Sequence, residues 1–239
     1  MFIFYRLLLA HVIADFPLQF TRIYRFKIES PFGSFVHSGI FSLLAILLVW
    51  PYWNLARMWE FIFFLWFVHA IQDWLKVLVF EKYHLDNIWV FLLDQSLHVG
   101  FLGMVFIFGL ARLTAPDILS KLVYLYNDNN VVIYAIVFIS VGFGGGIVIS
   151  YIKNLFYSSG KKDLASPKRY IQVVERMLIM GLILLKGYYY LAIPGVWLIH
   201  GGYATFKKRS EQRFGLSSLF DLIFNTAIAV GIMLILRLS

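Results

Sequence analysis

Most of this chain consists of apolar stretches long enough to cross a lipid bilayer. A transmembrane α-helix needs about 20 consecutive, mostly apolar residues. Windows of this kind lie at residues 2–20, 34–50, 58–80, 88–112, 131–152, 170–191, 194–206 and 217–237. The pattern predicts an all-α fold, a polytopic membrane helix bundle of about seven or eight transmembrane helices. Because the seventh window is short, a re-entrant or short hairpin at 170–206 is an alternative to two full spans.

The composition excludes a water-soluble fold. Hydrophobic residues make up 61% of the chain and charged residues only 14%, whereas an ordinary soluble domain carries about 25% charged residues. No stretch is polar enough to form a separate soluble domain. We therefore predict a single integral membrane domain over 1–239, with a four-helix half at 1–112 and a second helical half at 131–237.

The net charge of +8 predicts an orientation in the membrane rather than a nucleic-acid partner. Lysine and arginine concentrate in three loops, at 22–29, 153–169 and 207–213. With eight spans, all three loops fall on one side, which the positive-inside rule makes cytoplasmic. Both termini then face outside. Basic loops are the ordinary source of positive charge in so apolar a chain, so no nucleic-acid binding is expected.

Seven aspartate and histidine residues lie inside the first four windows, where ionisable side chains are costly. An Asp at the middle of a membrane helix costs about 2.5–3.5 kcal/mol on insertion scales. Six of the seven form three pairs at i,i+4, a spacing that places both side chains of a pair on one helix face. The pairs are His11 with Asp15, His69 with Asp73, and Asp94 with His98, and the seventh residue is His37.

The order within these pairs predicts that they meet in one layer. The third pair runs Asp then His, the reverse of the other two, and its span runs in the opposite direction through the membrane. Every Asp therefore lies nearer the cytoplasm than its paired His. The remaining histidine, at the start of the second span, falls at a similar depth. We expect a polar layer in the cytoplasmic half of the bilayer.

Imidazole and carboxylate side chains together predict a divalent transition-metal site of one or two ions, with zinc favoured. The absence of cysteine excludes thiolate ligands. We expect the catalytic carboxylates to be Asp15 and Asp73. The predicted metal ligands are His11, His37, His69, Asp73, Asp94 and His98, and their predicted hydrogen-bonding supports are Gln19, Gln72 and Gln95. A proton or ion relay without tight metal, and inert polar packing, remain alternatives.

Two basic residues outside the first four windows are candidates for lipid recognition. Arg176 and Lys207 could hold an anionic headgroup near the predicted layer. The alternative for Arg176 is a structural latch at the start of the sixth span. The expected partners are membrane lipids and a lipid-linked substrate, and the sequence leaves the oligomeric state open.

The polar motifs resemble a known family. The matching residues are the run from His11 to Phe16 (His-Val-Ile-Ala-Asp-Phe) with Gln19, then Lys27, His37, His69 with Asp73, and the run from Asp94 to His98 (Asp-Gln-Ser-Leu-His). As a set they resemble the bacterial multi-pass membrane proteins classified as domain of unknown function 3307, most closely over residues 1–100. The resemblance implies shared polar positions and a bacterial inner membrane, and it implies no particular chemistry.

Three functions are compatible with these features. The first is a metal-dependent hydrolase or transferase that acts on a lipid-like substrate at the cytoplasmic leaflet. The second is a transporter or channel for a divalent cation or protons, because the same residue types line ion paths. The third is a non-catalytic membrane subunit whose metal is structural. Polar residues are few toward the outer face of the first four windows, which favours the enzyme.

Overall fold

The structure, a computed structural model, describes residues 1–19, 21–116, 121–157, 167–185, 188–199 and 223–231. Within these ranges the regular secondary structure is entirely helical, as the sequence predicts. The chain forms two compact units, Met1–Ile139 and Ser140–Ser239.

The first unit contains the longest helices. They are α1 (Phe2–Asp15), α2 (Thr21–Glu29), α3 (Pro31–Leu48), α4 (Ala56–Tyr83), α5 (Ile88–Leu102), α6 (Lys121–Asn127) and α7 (Asn129–Ile139). Short 3-10 turns follow α3 and α5, at Trp50–Tyr52, Gly103–Phe106 and Leu110–Arg112. In this unit α3 packs against α1, α2 and α4, while α5 packs against α4, and α7 packs against α1.

Four helical segments are long and apolar enough to cross a membrane. Among the described residues these are Pro31–Leu48, Ala56–Tyr83, Ile88–Phe106 and Asn129–Ile152. They coincide with four of the predicted windows and are consistent with a membrane protein. The predicted count of seven or eight spans is not confirmed, since the remaining windows form helices that are shorter or less apolar, or they extend beyond the described ranges. The predicted hairpin at 170–206 likewise extends past the described residues.

The first helix is shorter than its predicted window of 2–20. Helix α1 has 14 residues and ends at Asp15. Pro17 explains this end, because a proline lacks an amide hydrogen and disfavours helical geometry in the residue before it. At 1.5 Å per residue α1 extends only about 21 Å, which is less than the roughly 30 Å of a bilayer core.

Apolar side chains fill one end of the first unit. We call this group the apolar layer. It draws mainly on the first half of α1, the second half of α3, the first half of α4 and the end of α5, so these antiparallel neighbours meet there. Its buried members include Ile3, Leu7, Ala10, Phe41, Ala45, Val49, Met58, Phe61, Ile62, Leu65, Leu102 and Val105. Burial on this scale is what positions the polar halves of the same helices opposite one another.

A close backbone contact fixes α2 against α3. Ser30 caps α3 by accepting a hydrogen bond from the Phe32 amide (3.2 Å). A Cβ atom at Gly33 would overlap the Phe26 carbonyl group and would lie 2.6 Å from the Lys27 backbone nitrogen. Only a glycine allows α2 to approach α3 this closely.

Replacing Gly33 by alanine is expected to destabilise the protein by about 1–3 kcal/mol, since the added methyl group must push α2 away. The matched control is Gly39→Ala in the same helix, where the nearest atom, Trp66 Nε1, lies 4.0 Å from the added Cβ. That change should be neutral or stabilising by up to about 1 kcal/mol. Thermal unfolding in detergent measures both. Equal melting temperatures for the two variants would contradict the close contact.

The second unit is organised around a buried arginine. Its described elements are a π-helical turn (Ser140–Gly144), α8 (Gly145–Tyr157), α9 (Pro167–Leu184), a 3-10 turn (Tyr189–Ala192), and helical residues at 193–199 and 223–231. Arg176 on α9 is fully buried and donates from Nε (2.9 Å) and Nη2 (2.6 Å) to the Gly142 carbonyl. It also donates from Nη1 to Asn225 Oδ1. A Cβ at Gly146 would lie 2.8 Å from Nη2, so that glycine makes room for the guanidinium.

Candidate metal centre

The seven ionisable residues singled out in the sequence lie together in the first unit. We call them the His/Asp cluster. They come from the end of α1, the first half of α3 and the middle of α4 and α5. Each is at most 8% exposed. The cluster consists of His11, Asp15, His37, His69, Asp73, Asp94 and His98.

Within each i,i+4 pair the histidine lies on the side of the apolar layer. In α1 and α4 the chain leaves the apolar layer and reaches the histidine before the aspartate, and in α5 it reaches the aspartate first on the way to that layer. This is the common ordering that the reversed third pair predicts. The four imidazoles form a contact network, with ring centroids 4.4 Å apart for His69 and His98 and 5.1 Å apart for His11 and His98.

Asp15 lies at the centre of the cluster. Its Oδ1 atom is 3.2 Å from His37 Nε2, 3.5 Å from His69 Nε2 and 3.6 Å from His11 Nδ1. Its Oδ2 atom accepts a hydrogen bond from Gln95 Nε2 (3.4 Å). Among the described residues, no lysine or arginine forms an ion pair with this carboxylate. Its negative charge therefore faces imidazoles and an amide.

Asp73 is paired with a lysine from the neighbouring amphipathic helix. Lys27 on α2 places Nζ 2.7 Å from Asp73 Oδ1, and both side chains are buried. The second carboxylate oxygen, Oδ2, lies 3.5 Å from His69 Nε2 and 3.7 Å from His37 Nε2. Gln19 supports the lysine: its amide oxygen faces Lys27 Nζ (2.7 Å) once the amide is oriented so that its nitrogen donates to the Asp15 carbonyl (3.0 Å).

Asp94 is paired with a second lysine, one turn beyond Asp73 on α4. Lys76 Nζ donates to Asp94 Oδ2 at 2.5 Å, and Gln95 Nε2 donates to the same oxygen at 3.2 Å. The Lys76 side chain is 35% exposed and so marks the open edge of the cluster. The backbone carbonyl of Asp94 accepts a hydrogen bond from His98 Nδ1 (2.8 Å).

That last hydrogen bond determines which nitrogen of His98 is free to bind a metal. A carbonyl can only accept, so Nδ1 carries the hydrogen and, in the neutral ring, Nε2 presents a lone pair. The Nε2 atoms of His11, His69 and His98 have no hydrogen-bond partner within the described residues. The three rings line one small cavity with room for about one water-sized particle. For His98 this leaves a buried lone pair without a hydrogen-bond partner among the described residues, which is what a metal ligand presents before the ion binds.

Within the described part of the chain, three overlapping groups of ligand atoms could hold a metal ion. In each group the atoms lie within 4.8 Å of one another. The groups are His11 with Asp15 and His69, His37 with His69 and Asp73, and Asp73 with Asp94 and His98. Only the first is free of a carboxylate already paired with lysine, because Lys27 holds Asp73 and Lys76 holds Asp94.

The predicted supporting residues take different positions. Gln19 and Gln95 contact the cluster as described, while Gln72 lines the cavity and its Nε2 atom has no partner within the described residues. The predicted headgroup contact at Arg176 gains no support, because this side chain is buried and pinned to Gly142 and Asn225. Lys207 lies outside the described residues.

Sequence reasoning missed Lys76 and placed Lys27 among the loop charges and the family motif only. Lys76 carried a usable signal, since it is a charged residue inside a predicted span and lies three positions from Asp73. Its ion pair with Asp94 on the next helix could not be predicted, because residue spacing indicates neighbours only within one helix. The pairing of Lys27 depends on how α2 folds back on α3, which is tertiary information.

Comparison with known proteins gives one match. A family model described as "Protein of unknown function (DUF3307)" matches residues 3–126, just over half of the chain. This confirms the resemblance inferred from the polar motifs. The matched region contains every member of the His/Asp cluster together with both lysines. No curated protein and no solved structure matches the chain.

Proposed function

The chain belongs to the DUF3307 family, and we propose that it is a membrane enzyme built around an intramembrane transition-metal ion, a hydrolase or transferase for an amphiphilic, lipid-like substrate. The observation that carries this proposal is the lysine-free group of His11, Asp15 and His69 beside a cavity. Two imidazoles and one carboxylate, with a position left open, form a ligand set typical of catalytic zinc. Zinc is therefore the favoured ion.

The surrounding residues have separate roles in this proposal. A bound ion would act as a Lewis acid: it would lower the pKa of a water molecule bound to it and so supply a nucleophile at neutral pH. Asp73 Oδ2 and His98 Nε2 have no hydrogen-bond partner within the described residues, so either can accept a proton. Asp15 orients His11 and His37 as well as offering a ligand atom.

The position of the apolar layer supports an enzyme over a transporter. Leu65 and Leu102 belong to that layer and also line the cavity, so the cavity ends against apolar side chains. A transport path needs polar groups on both sides of the cluster. The open edge, marked by Lys76, leads the other way. We place this edge toward the cytoplasmic leaflet of a bacterial inner membrane, on the basic-loop argument.

Zinc-loaded protein in detergent or bilayer discs is expected to hydrolyse at least one amphiphile in a panel of carboxylic and phosphoric esters. Chelation and His69→Ala should both abolish product formation, and zinc should restore it only in the chelated wild type. The control is His84→Asn, because His84 is an exposed histidine after α4 with a positive φ of 52°, which asparagine tolerates. Bound zinc without any product would favour the structural-metal alternative, and product formation that survives chelation would exclude a metal-dependent reaction.

A further inference from the structure

Two lysines lie at the edge of the His/Asp cluster and have no role in holding a metal. Lys27 Nζ is 2.7 Å from Asp73 Oδ1, and Lys76 Nζ is 2.5 Å from Asp94 Oδ2. The two ammonium groups reach the cluster from different helices, α2 and α4. A lysine inside an apolar protein is costly, whether it is buried like Lys27 or partly exposed like Lys76. The presence of two such lysines calls for a partner or a task.

The charges of the site change sign when a divalent ion binds. With neutral imidazoles, the three carboxylates outnumber the two ammonium groups by one negative charge. A divalent ion converts this deficit into an excess of one positive charge. An unbalanced charge is expensive in a low-dielectric interior. The loaded centre therefore favours one further negative charge, and the empty centre disfavours it.

We propose that the metal-loaded centre binds a phosphate ester group and that Lys27 and Lys76 are the residues that hold it. This inference rests on the proposed function and names the substrate class of the same site. A phosphodiester carries one negative charge and a phosphomonoester about 1.5–2 at neutral pH, so either group offsets the excess positive charge of the loaded centre. The phosphate oxygens accept hydrogen bonds from several donors at once. The same group occurs in lipid headgroups and in soluble phosphates, so the chemistry alone does not fix the source.

The geometry of the lysines suits this task. Each ammonium has three donors, so it can keep its carboxylate and still donate to a phosphate oxygen. A four-carbon stem lets each group swing by several ångströms without moving its helix. Lys76 is at the open edge of the cluster. Lys27 is on a short helix that also carries Arg22 and Arg25, and these positive charges would attract an anion to the cluster.

The charge balance requires that metal and phosphate bind cooperatively. Each ligand supplies the charge that the other needs, so each must tighten the binding of the other by the same factor. We expect a factor of about ten or more, within the usual range for coupled sites. Both lysines are needed for this cooperativity. Removing one ammonium group makes the metal-loaded centre neutral, so it no longer favours a further negative charge.

The test is the zinc affinity of the full chain in a maltoside detergent free of phosphate, measured by competition with a chromogenic chelator. The affinity is measured first without any additive. It is then measured in the presence of inorganic phosphate, of short-chain phosphatidic acid, and of the diacylglycerol with the same acyl chains. Zinc binding should tighten about tenfold or more with a phosphate-bearing probe and not with diacylglycerol. Tightening by inorganic phosphate indicates a soluble source, and tightening by phosphatidic acid alone indicates a lipid source.

The variants are Lys27→Met and Lys76→Met, with Lys82→Met as the matched control, since Lys82 is an exposed lysine on the same helix as Lys76. Both test variants should keep zinc binding in the absence of phosphate and lose the tightening, while the control retains it. Lys76 is partly exposed, so its variant serves if Lys27→Met does not fold. Zinc bound equally with and without every phosphate probe overturns this inference and leaves the metal centre intact. Absence of zinc binding in the wild type overturns the proposed function itself.

Discussion

Replacing Lys27 by methionine is expected to lower the free energy of unfolding of the metal-free protein by about 3–5 kcal/mol, the usual cost of leaving one member of a buried ion pair alone. The reason is local. The side chains of Lys27 and Asp73 are 7% and 2% exposed, and their charged atoms are 2.7 Å apart. Methionine keeps the length and apolar stem of lysine and removes only the ammonium, so the loss reports the unpaired carboxylate. Unfolding in mixed detergent micelles measures it.

Zinc should reverse much of that loss. Without the ammonium, Asp73 is free to contact the ion, and a ligand that binds only the folded state stabilises it by mass action. The rise in melting temperature on adding zinc is therefore expected to be larger for Lys27→Met than for the wild type. Lys82→Met should change stability by no more than about 0.5 kcal/mol. Two results would contradict the role given to the Lys27–Asp73 pair. One is an equal loss of stability in Lys27→Met and Lys82→Met, and the other is a loss in Lys27→Met that zinc leaves unchanged.

The second large effect is expected at Asp15. Asp15→Asn keeps the size of the side chain and removes the one cluster carboxylate that, among the residues the structure describes, pairs with no lysine. Zinc affinity should fall by about 100-fold or more, since even partners of metal ligands contribute 10–100-fold. The free energy of unfolding without metal should change less, because an amide can still hydrogen-bond to the imidazoles. Competition with a chromogenic chelator measures the affinity.

Asp94→Asn provides the contrast that identifies the ligand group. Asp94 is neutralised by Lys76. His98 Nδ1 donates its hydrogen bond to the Asp94 backbone carbonyl (2.8 Å), while the carboxylate Oδ1 lies farther away, at 3.6 Å. The affinity loss should therefore be about tenfold at most. The exposed loop variant Asp86→Asn should leave zinc affinity unchanged. If Asp94→Asn lost more affinity than Asp15→Asn, the ion would belong to the group of Asp73, Asp94 and His98 instead.

The His/Asp cluster could be predicted because it depends on periodicity within helices. The i,i+4 spacing of His69 and Asp73 places both on one face of α4 whatever that helix packs against. The reversed order of Asp94 and His98 then requires the helices to alternate in direction, as α4 and α5 do. Little knowledge of the tertiary packing is therefore needed to predict that these Asp and His residues meet in one layer.

The lysine partners could not be predicted for the opposite reason. A long flexible side chain reaches a carboxylate on another helix only through tertiary packing, and nothing in the local sequence of Lys27 distinguishes it from a loop charge. Glycine packing raises the same difficulty. Gly33 is required because the Phe26 carbonyl group lies where a Cβ atom would be, whereas Gly39 in the same helix has no such close neighbour.

The length of spans was the least predictable part of the fold. Hydropathy alone continues the first window to residue 20, but Pro17 ends α1 near Asp15. The fourth window is interrupted after α5 by the 3-10 turn Gly103–Phe106 and then by Gly109, whose φ of 72° is outside the right-handed helical region. Average hydropathy over 20 residues is insensitive to single residues that end a helix. Asp15 is nevertheless the last residue of α1 and lies within the His/Asp cluster.

The metal content of the purified wild-type protein tests the central claim most directly. Mass spectrometry of protein prepared with added zinc or manganese, and then freed of excess metal, should find about one transition-metal ion per chain. His69→Ala, which removes the imidazole shared by two of the ligand groups, should reduce that content to background, and His84→Asn should not. A wild-type protein that retains no transition metal, or a His69→Ala variant that retains as much as the wild type, would contradict a metal centre in the His/Asp cluster.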